Sequence, residues 1–366
     1  MHNLGTHFDC LLDNLKPPQE RRDAARELPS AVRHYLKECG DFETISPHTH
    51  LVGSYAQHLS VGDIKDVDIL IRVDGEPEVN DPVAKQVIIG LRTALADFPY
   101  WEKLPSWVRS GGSASLSVKG ARRSVHLYFA NHDFHLDIVP CIAPNGFSEQ
   151  LWVPDRNWNE WVPSHPVGVL QLIQTLNDAH GKKVRPLGKL IKHFRNYHML
   201  TKQPKSYWLL SVLLDQVQNG NLDSNQPIGV VFHDLLNAIY NKYASLIPRT
   251  DGATPNISDP ILDHNVSWNW QRSHFETFMR RLDDGRRWTS KAIECDDKSE
   301  AIECWQKVFG EDYFPSDISQ YASTLANAGW PGAAAVSGTG RIISGHRDSN
   351  RFTPIQPTTF HSDANE

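Results

Sequence analysis

The chain has 366 residues, of which 40% are hydrophobic and 22% are charged, and its net charge is −6. This length allows two packed lobes. The negative charge argues against a protein whose whole surface binds nucleic acid, because such binding depends on many phosphate contacts. No stretch resembles a membrane span or a signal peptide, and five cysteines without Cys-x-x-Cys spacing indicate neither a disulfide framework nor a zinc ribbon. We therefore expect a cytoplasmic protein with free thiols.

The first 164 residues are predicted to form a helical segment followed by an α/β region. Residues 1–40 are helical, since Arg21 to Lys37 places apolar residues at helical spacing, and this segment would brace the region after it. In residues 41–164, a helix over Pro82 to Phe98 lies among strands. The predicted strands are Val67 to Val73, Ser113 to Val118, Ser124 to Phe129 and His135 to Cys141. This order indicates a mixed sheet with helices.

The remainder of the chain is predicted to be mostly helical. Prolines and tryptophans between Trp152 and Pro166 indicate a loop-rich crossover into a second lobe, residues 165–330. Its predicted helices are Val167 to Ala179, Leu187 to Met199, Trp208 to Val217, Val230 to Tyr243 and His274 to Cys295. Residues 331–366 are rich in small and polar residues and cannot bury enough apolar surface to offset the entropy of ordering, so we predict a disordered tail.

Three acidic residues in the α/β region are candidate metal ligands. Asp66 and Asp68 lie two residues apart in a strand and so point to the same face. Asp137 lies in an apolar run that reads as a buried strand, where an unpaired carboxylate is costly and a metal ion would stabilise it. Gly53 and Ser54 precede Asp66 in the sequence. They are predicted to begin a helix whose free N–H groups can donate hydrogen bonds to a phosphate. This combination suits two-metal nucleotidyl transfer.

This pattern resembles the polymerase-β-like nucleotidyltransferase superfamily, in which Gly-Ser, Asp-x-Asp and a later single carboxylate follow one another. The resemblance narrows to the cyclic GMP-AMP synthase/DncV-like branch, which includes bacterial anti-phage second-messenger synthases. It implies an α+β fold, with a polymerase-β-like nucleotidyltransferase lobe and a mostly helical C-terminal lobe. It also implies that Asp66, Asp68 and Asp137 are catalytic and hold two Mg²⁺ ions, for which Mn²⁺ can substitute.

The same resemblance covers a second group of residues, in the helical lobe. Lys192 and Ser206 match the lysine and serine that grip the donor triphosphate in this branch, and Tyr207 matches a tyrosine that stacks on a base. Tyr207 could equally be a core aromatic at the start of a helix. A third match is Ser258-Asp259-Pro260, which is followed by His264-Asn265-Val266.

A run of cations without acidic partners surrounds Lys192. Between Asp178 and Asp215 the sequence contains no acidic residue. The cations of this segment are Lys182, Lys183, Arg185, Lys189, Lys192, Arg195, Lys202 and Lys205. We interpret the run as a triphosphate-binding wall, although the same charge could track a nucleic-acid backbone.

The sequence therefore predicts an enzyme that joins nucleoside triphosphates, ATP or GTP, into a cyclic or linear oligonucleotide with release of pyrophosphate. Regulatory or effector proteins are expected as partners, a membrane is not, and nucleic acid is not required. Two alternatives remain open. One is a transferase acting on RNA ends, of the tRNA or poly(A) type, and the other is a catalytically silent nucleotide sensor.

Overall fold

The computed structural model describes residues 2–96, 116–129, 134–327, 334–336 and 342–344. The chain divides into two units, Met1–Ser316 and Asp317–Glu366. The larger unit contains a mixed sheet and the helices that pack on it or beside it. None of the helices in the described ranges is long and apolar enough to cross a membrane.

Seven strands of the larger unit form one sheet within the described ranges. They are β1 Thr49–Val52, β2 Asp66–Val73, β3 Leu116–Gly120, β4 Val125–Phe129, β5 Phe134–Ile142, β6 Leu151–Asp155 and β7 Glu160–Ser164. The order is β1-β2-β5-β4-β3, while β6 pairs with β5 and β7 pairs with β6. Among the strands in the described ranges, only β2 and β5 are parallel to each other. Parallel neighbours need a long connection, and the chain between them contains a helix and the β3–β4 hairpin.

The helices of the larger unit surround the sheet and form the second lobe. They are α1 Gly5–Asn14, α2 Gln19–Glu38, α3 Gly53–Ala56, α4 Ala84–Ala96, α5 Pro166–Ala179, α6 Val184–His198, α7 Ser206–Gln218, α8 Ile228–Tyr243, α9 Arg272–Glu294 and α10 Lys298–Phe309. The second unit contains α11 Ser319–Asn327 and two short antiparallel strands, β8 Ala334–Val336 and β9 Ile342–Ser344.

Strand alternation decides which face of the sheet is buried. In β2, Val67, Ile69 and Ile71 are fully buried and pack with residues of α2 and α4. Asp66 and Asp68 therefore lie on the opposite face, which is covered only in part, by a smaller cluster that includes Val52 and Leu70. The acidic end of that face is thus left accessible to substrate.

The helical lobe has a separate core. Phe8 and Leu11 of α1 lie in this cluster with residues of α6 to α10, whereas α2 packs against the sheet. Residues 1–40 thus contain two helices that serve different cores, rather than one bracing helix. The division into an α/β lobe over 41–164 and a helical lobe over 165–330 remains a prediction.

Most predicted elements appear with shifted ends, and the prediction for the segment between Trp152 and Pro166 is corrected. The region between Trp152 and Pro166 is not a loop-rich crossover but the β6–β7 hairpin, in which Pro154 and Pro163 face Trp161 and Trp152. These prolines are tolerated because the hairpin lies at the end of the sheet, where some N–H groups have no ladder partner. The helix α10 was not predicted, although Asp297 accepts a hydrogen bond from the Glu300 N–H at 2.8 Å, an N-cap of the Asp-x-x-Glu kind.

Some predictions fall outside the described residues. The start of the predicted strand at 113–115 and the end of the predicted helix at 97–98 are among them. The predicted disordered tail over 331–366 also lies outside, except for the paired strands β8 and β9.

Candidate active site

Strand register brings the predicted carboxylates together. In the parallel β2–β5 pair, Asp68 lies opposite Asp137, and Asp66 lies opposite His135. Residues opposite each other on paired strands project to the same face. Asp66, Asp68 and Asp137 therefore share the partly open face of the sheet, two on β2 and one on β5.

Gly53 is required by close approach to Asp68. It has φ +73°, a conformation that L-residues with side chains rarely adopt, and a Cβ atom at this position would lie 1.7 Å from Oδ2 of Asp68. The turn from β1 into α3 therefore presses backbone directly against the carboxylate. Ser54 follows in the first turn of α3, as the sequence predicted.

Burial and like charge act on Asp68. Desolvation, followed by the charges of Asp137 and Asp66, raises the pKa of the Asp68 carboxyl to about 8. Three carboxylates so arranged repel one another when ionised. A cation bound beside Asp68 would displace this proton and offset the repulsion, because a nearby positive charge favours the ionised form.

Asp137 is half-buried and has an unusual environment. Nε2 of His126, the residue opposite it on β4, lies 3.3 Å from Oδ1 of Asp137. This oxygen is buried and accepts no hydrogen bond from any residue that the structure describes. His126 is thus its one ion-pair partner among the described residues, and an acceptor of this kind is free to take a stronger partner.

A cavity of about 370 Å³ opens beside Asp66 and Asp68. Its lining combines the turn at Gly53 and Ser54 and the segment 57–65 with side chains from α6 and the start of α7. Asp137 is not among the lining residues. The predicted residues Gly53, Ser54, Asp66, Asp68, Lys192, Ser206 and Tyr207 all line it.

Lys192 and Arg195 give the cavity a buried positive wall. The Lys192 ammonium donates to the Leu59 carbonyl at 2.7 Å, and burial, together with the charge of Arg195, lowers the pKa of Lys192 to about 8. The Arg195 guanidinium donates to the Pro204 carbonyl at 2.8 Å and to the Ser206 hydroxyl at 3.0 Å. These bonds fix the position of Ser206 at the start of α7.

Tyr207 is held in place by a hydrogen bond to Asp259. Its hydroxyl donates to Oδ2 of Asp259 at 2.7 Å, while the other carboxylate oxygen of Asp259 accepts the N–H groups of Ile261 and Leu262. Burial and Asp259 both raise the pKa of the Tyr207 hydroxyl. The ring packs against the helical core and also lines the cavity, so the two readings of Tyr207 from sequence are compatible. The Ser258-Asp259-Pro260 motif thus has a local role, to orient Tyr207.

Two further residues, Arg195 and Asn196, line the cavity. From sequence, Arg195 was predicted only as one member of the cation run, and Asn196 was not predicted at all. Arg195 stands three residues after Lys192 on α6 and therefore on the same helix face, which is a signal that could have identified it.

Much of the cation run lies elsewhere. Lys182 pairs with Asp178, and Lys183 donates to the carbonyls of Ser224 and Gln226. Only Lys192 and Arg195 of that run line the cavity.

No three His, Cys, Asp or Glu side chains in the described ranges already surround a common point where they could hold a metal ion by themselves. Mg²⁺ commonly binds to one or two carboxylates and completes its coordination with water and substrate phosphates. The carboxylates here are the kind of hard oxygen ligand that such a site needs.

The chain is similar to known proteins. Residues 3–177 match the family of Second Messenger Oligonucleotide or Dinucleotide Synthetase domains. The chain is 25% identical over 334 residues to a cyclic AMP-AMP-AMP synthase from an Acinetobacter species, covering 87% of this chain and 88% of that protein.

Two solved structures share the fold. One is the Bradyrhizobium diazoefficiens CD-NTase CdnG in complex with GTP, with a TM-score of 0.63, 16% identity and coverage of 87% of this chain and 98% of that one. The other is Vibrio cholerae DncV in complex with the linear intermediate 5′ pppA(3′,5′)pG, with a TM-score of 0.61, 14% identity and coverage of 85% and 97%. Both matches extend over the sheet and the helical lobe.

Proposed function

Because the chain is a nucleotidyltransferase of the cyclic GMP-AMP synthase/DncV-like family, we propose that the cavity beside Asp66 and Asp68 is its active site. There it would join ATP or GTP units into a cyclic oligonucleotide and release pyrophosphate. The observation that carries this proposal is the register of Asp68 opposite Asp137, at the margin of a cavity that contains Lys192 and Ser206.

The residues present fit divalent cations. Asp66, Asp68 and Asp137 offer carboxylate oxygens on one face, and Oδ1 of Asp137 is a buried acceptor without a hydrogen bond in the described structure. We propose that these three residues hold two Mg²⁺ ions, or Mn²⁺ in their place. When bound, the ions lower the pKa of the attacking hydroxyl and neutralise charge on the attacking and leaving oxygens.

The donor nucleotide is positioned by residues around the cavity. Gly53 and Ser54 would contact its β- and γ-phosphates, and Lys192 would exchange its bond to the Leu59 carbonyl for a bond to a phosphate oxygen. Ser206, held by Arg195, completes this grip. The Tyr207 ring, fixed through Asp259, offers a face on which the donor base can stack.

The acceptor hydroxyl attacks the α-phosphorus of the donor in line with the leaving pyrophosphate. A bond forms between this oxygen and phosphorus, and the bond to the bridging oxygen of the β-phosphate breaks. We assign Asp137 to the acceptor side, where a carboxylate oxygen can receive the hydroxyl proton. As in the family that the sequence resembles, we propose that the product acts in anti-phage defence and is read by an effector protein.

The test is to incubate the purified chain with all four labelled nucleoside triphosphates and Mg²⁺ or Mn²⁺, with and without RNA. The products are treated with phosphatase and analysed by mass spectrometry. We expect a small phosphatase-resistant oligonucleotide, whose bases the mass identifies.

Two variants make the result specific. Asp66→Ala/Asp68→Ala should make no product and keep its melting temperature within a few degrees, whereas Asp41→Ala, which removes an exposed carboxylate, should behave as wild type. Label found only on added RNA would replace the proposal with an RNA-end transferase. Equal product from the double variant would show that the carboxylates are not the site.

A further inference from the structure

A group of aromatic side chains lies beside Asp137 and outside the cavity. Three of these side chains are half-buried: His126 and Tyr128 on β4, and His135 on β5. The alternate residues of β4, Leu127 and Phe129, are buried on the other face of the sheet. Register places Tyr128 opposite His135 and His126 opposite Asp137. The three rings therefore continue the face of the sheet that carries the carboxylates. We call His126, Tyr128 and His135 the aromatic shelf.

The shelf is ordered by its own contacts. The Tyr128 and His135 rings stack with centroids 5.0 Å apart, and the rings of His126 and His135 are 4.9 Å apart. Nδ1 of His126 and the Tyr128 hydroxyl are hydrogen-bonded at 3.0 Å. Rings held in this way lose little conformational entropy when a ligand binds, which favours affinity.

The position of the shelf corresponds to the side from which an acceptor must approach. The groups proposed to hold the donor triphosphate, Lys192 and Ser206, line the cavity, and Asp137 does not. Because the attacking and leaving oxygens are in line, the acceptor lies on the side of the carboxylates away from the donor's pyrophosphate. On that side the strand next to β2 is β5, and the strand after it is β4.

We propose that the aromatic shelf binds the acceptor nucleotide, with its base stacked on Tyr128. Lys119, on β3 opposite His126, has its ammonium 4.9 Å from the centroid of the Tyr128 ring. The Tyr128 ring face beside Lys119 can therefore contact a cation or another π-system. When the acceptor base stacks on this face, the exposed Lys119 side chain can move away from the ring and contact the acceptor phosphate. The inference rests on the proposed function, because it assumes the donor side assigned above.

The test uses a nucleotide that cannot use the triphosphate grip. The fluorescent monophosphate of 2-aminopurine riboside is titrated onto the full chain in the presence of Mg²⁺ and one equivalent of α,β-methylene-ATP, which cannot transfer its nucleotidyl group. Stacking on an aromatic ring quenches this probe. The affinity for α,β-methylene-ATP is measured separately by calorimetry.

Three variants separate stacking from other roles. Tyr128→Ala should weaken probe binding by about tenfold and abolish quenching, since stacking of a base on an aromatic ring is worth about 1–3 kcal/mol, and its donor affinity should stay within about twofold. Tyr128→Phe keeps the ring and should bind the probe as wild type. Tyr240→Ala is the matched control, because Tyr240 is also half-buried with a cation, Arg286, 4.2 Å from its ring centroid.

The outcomes are distinguishable. Quenching that persists in Tyr128→Ala would overturn the shelf assignment, as would an equal loss of donor and probe affinity, which would mean that Tyr128 supports the site as a whole. If wild type binds α,β-methylene-ATP but does not quench the probe, the shelf assignment alone is wrong. If wild type does not bind α,β-methylene-ATP, the proposed function fails and the shelf assignment fails with it.

Discussion

The substitution Asp68→Asn should stabilise the metal-free protein while it abolishes turnover. The pKa of the Asp68 carboxyl rises from 3.8 to about 8 on folding, chiefly because of burial and then because of Asp137 and Asp66. At neutral pH the unfolded chain carries an ionised Asp68, whereas the folded chain keeps the proton. Folding without metal must therefore take up a proton, which costs free energy.

The size of the effect follows from linkage. Each pH unit between the unfolded and folded pKa costs about 1.4 kcal/mol, so the upper limit at pH 7 is about 4 kcal/mol. Asparagine avoids this cost, and a chain of this length should gain about 5 °C in melting temperature. The sign is specific: the folded pKa is raised, so wild type loses stability relative to the variant as pH rises from about 4 to about 8, and the difference is constant above that.

The assay is thermal unfolding of both proteins in EDTA from pH 4 to pH 9, repeated with Mg²⁺ and a nucleoside triphosphate. Ligands should stabilise wild type and leave the variant nearly unchanged, because only wild type binds the complete ligand set. Asp41→Asn, an exposed carboxylate, is the control and should change nothing at any pH. A melting temperature of Asp68→Asn equal to or below that of wild type throughout this pH range would refute the reasoning.

Two further predictions concern the turn and the cationic wall. Gly53→Ala should lower turnover by about 100-fold, because its Cβ would displace Asp68; Gly252→Ala shares a positive φ, +76°, but meets nothing within 4 Å, so a similar loss of activity there would contradict the steric explanation. Lys192→Gln should weaken triphosphate binding by about tenfold or more, since it removes a charge-assisted bond. Because the pKa of Lys192 is about 8, the affinity of wild type relative to that of the variant should fall from pH 7 to pH 9. Calorimetry at several pH values measures this ratio, and a ratio that does not change with pH would contradict the prediction. The exposed Lys182→Gln is its control.

The strands near the site and the carboxylates on them could be predicted from sequence because strand alternation is local. Asp66 and Asp68 share a face by spacing alone, and the apolar run around Asp137 identified its strand. The β6–β7 hairpin was missed for a related reason. Its prolines oppose strand formation locally, and only its place at the end of the sheet, which sequence spacing does not reveal, makes them tolerable.

Other features depend on packing between distant segments. Tyr207 and Asp259 are hydrogen-bonded although they are 52 residues apart, and the motif around Asp259 gave no indication of this partner. The sequence predicted that the whole cation run forms one triphosphate-binding wall. In the structure, Lys192 and Arg195 line the cavity, whereas Lys182 forms an ion pair with Asp178.

The sequence by itself predicted the kind of chemistry: the strand spacing of Asp66 and Asp68 puts two carboxylates on one face, and the family resemblance adds Asp137, Lys192 and Ser206. Local periodicity is enough for the paired carboxylates, because that pattern spans only a few residues. The tertiary structure alone decided that Asp137 lies beside Asp68 but outside the cavity, in contact with His126. Strand pairing of β5 with both β2 and β4 sets that arrangement, and the burial of apolar side chains on the opposite face selects the pairing.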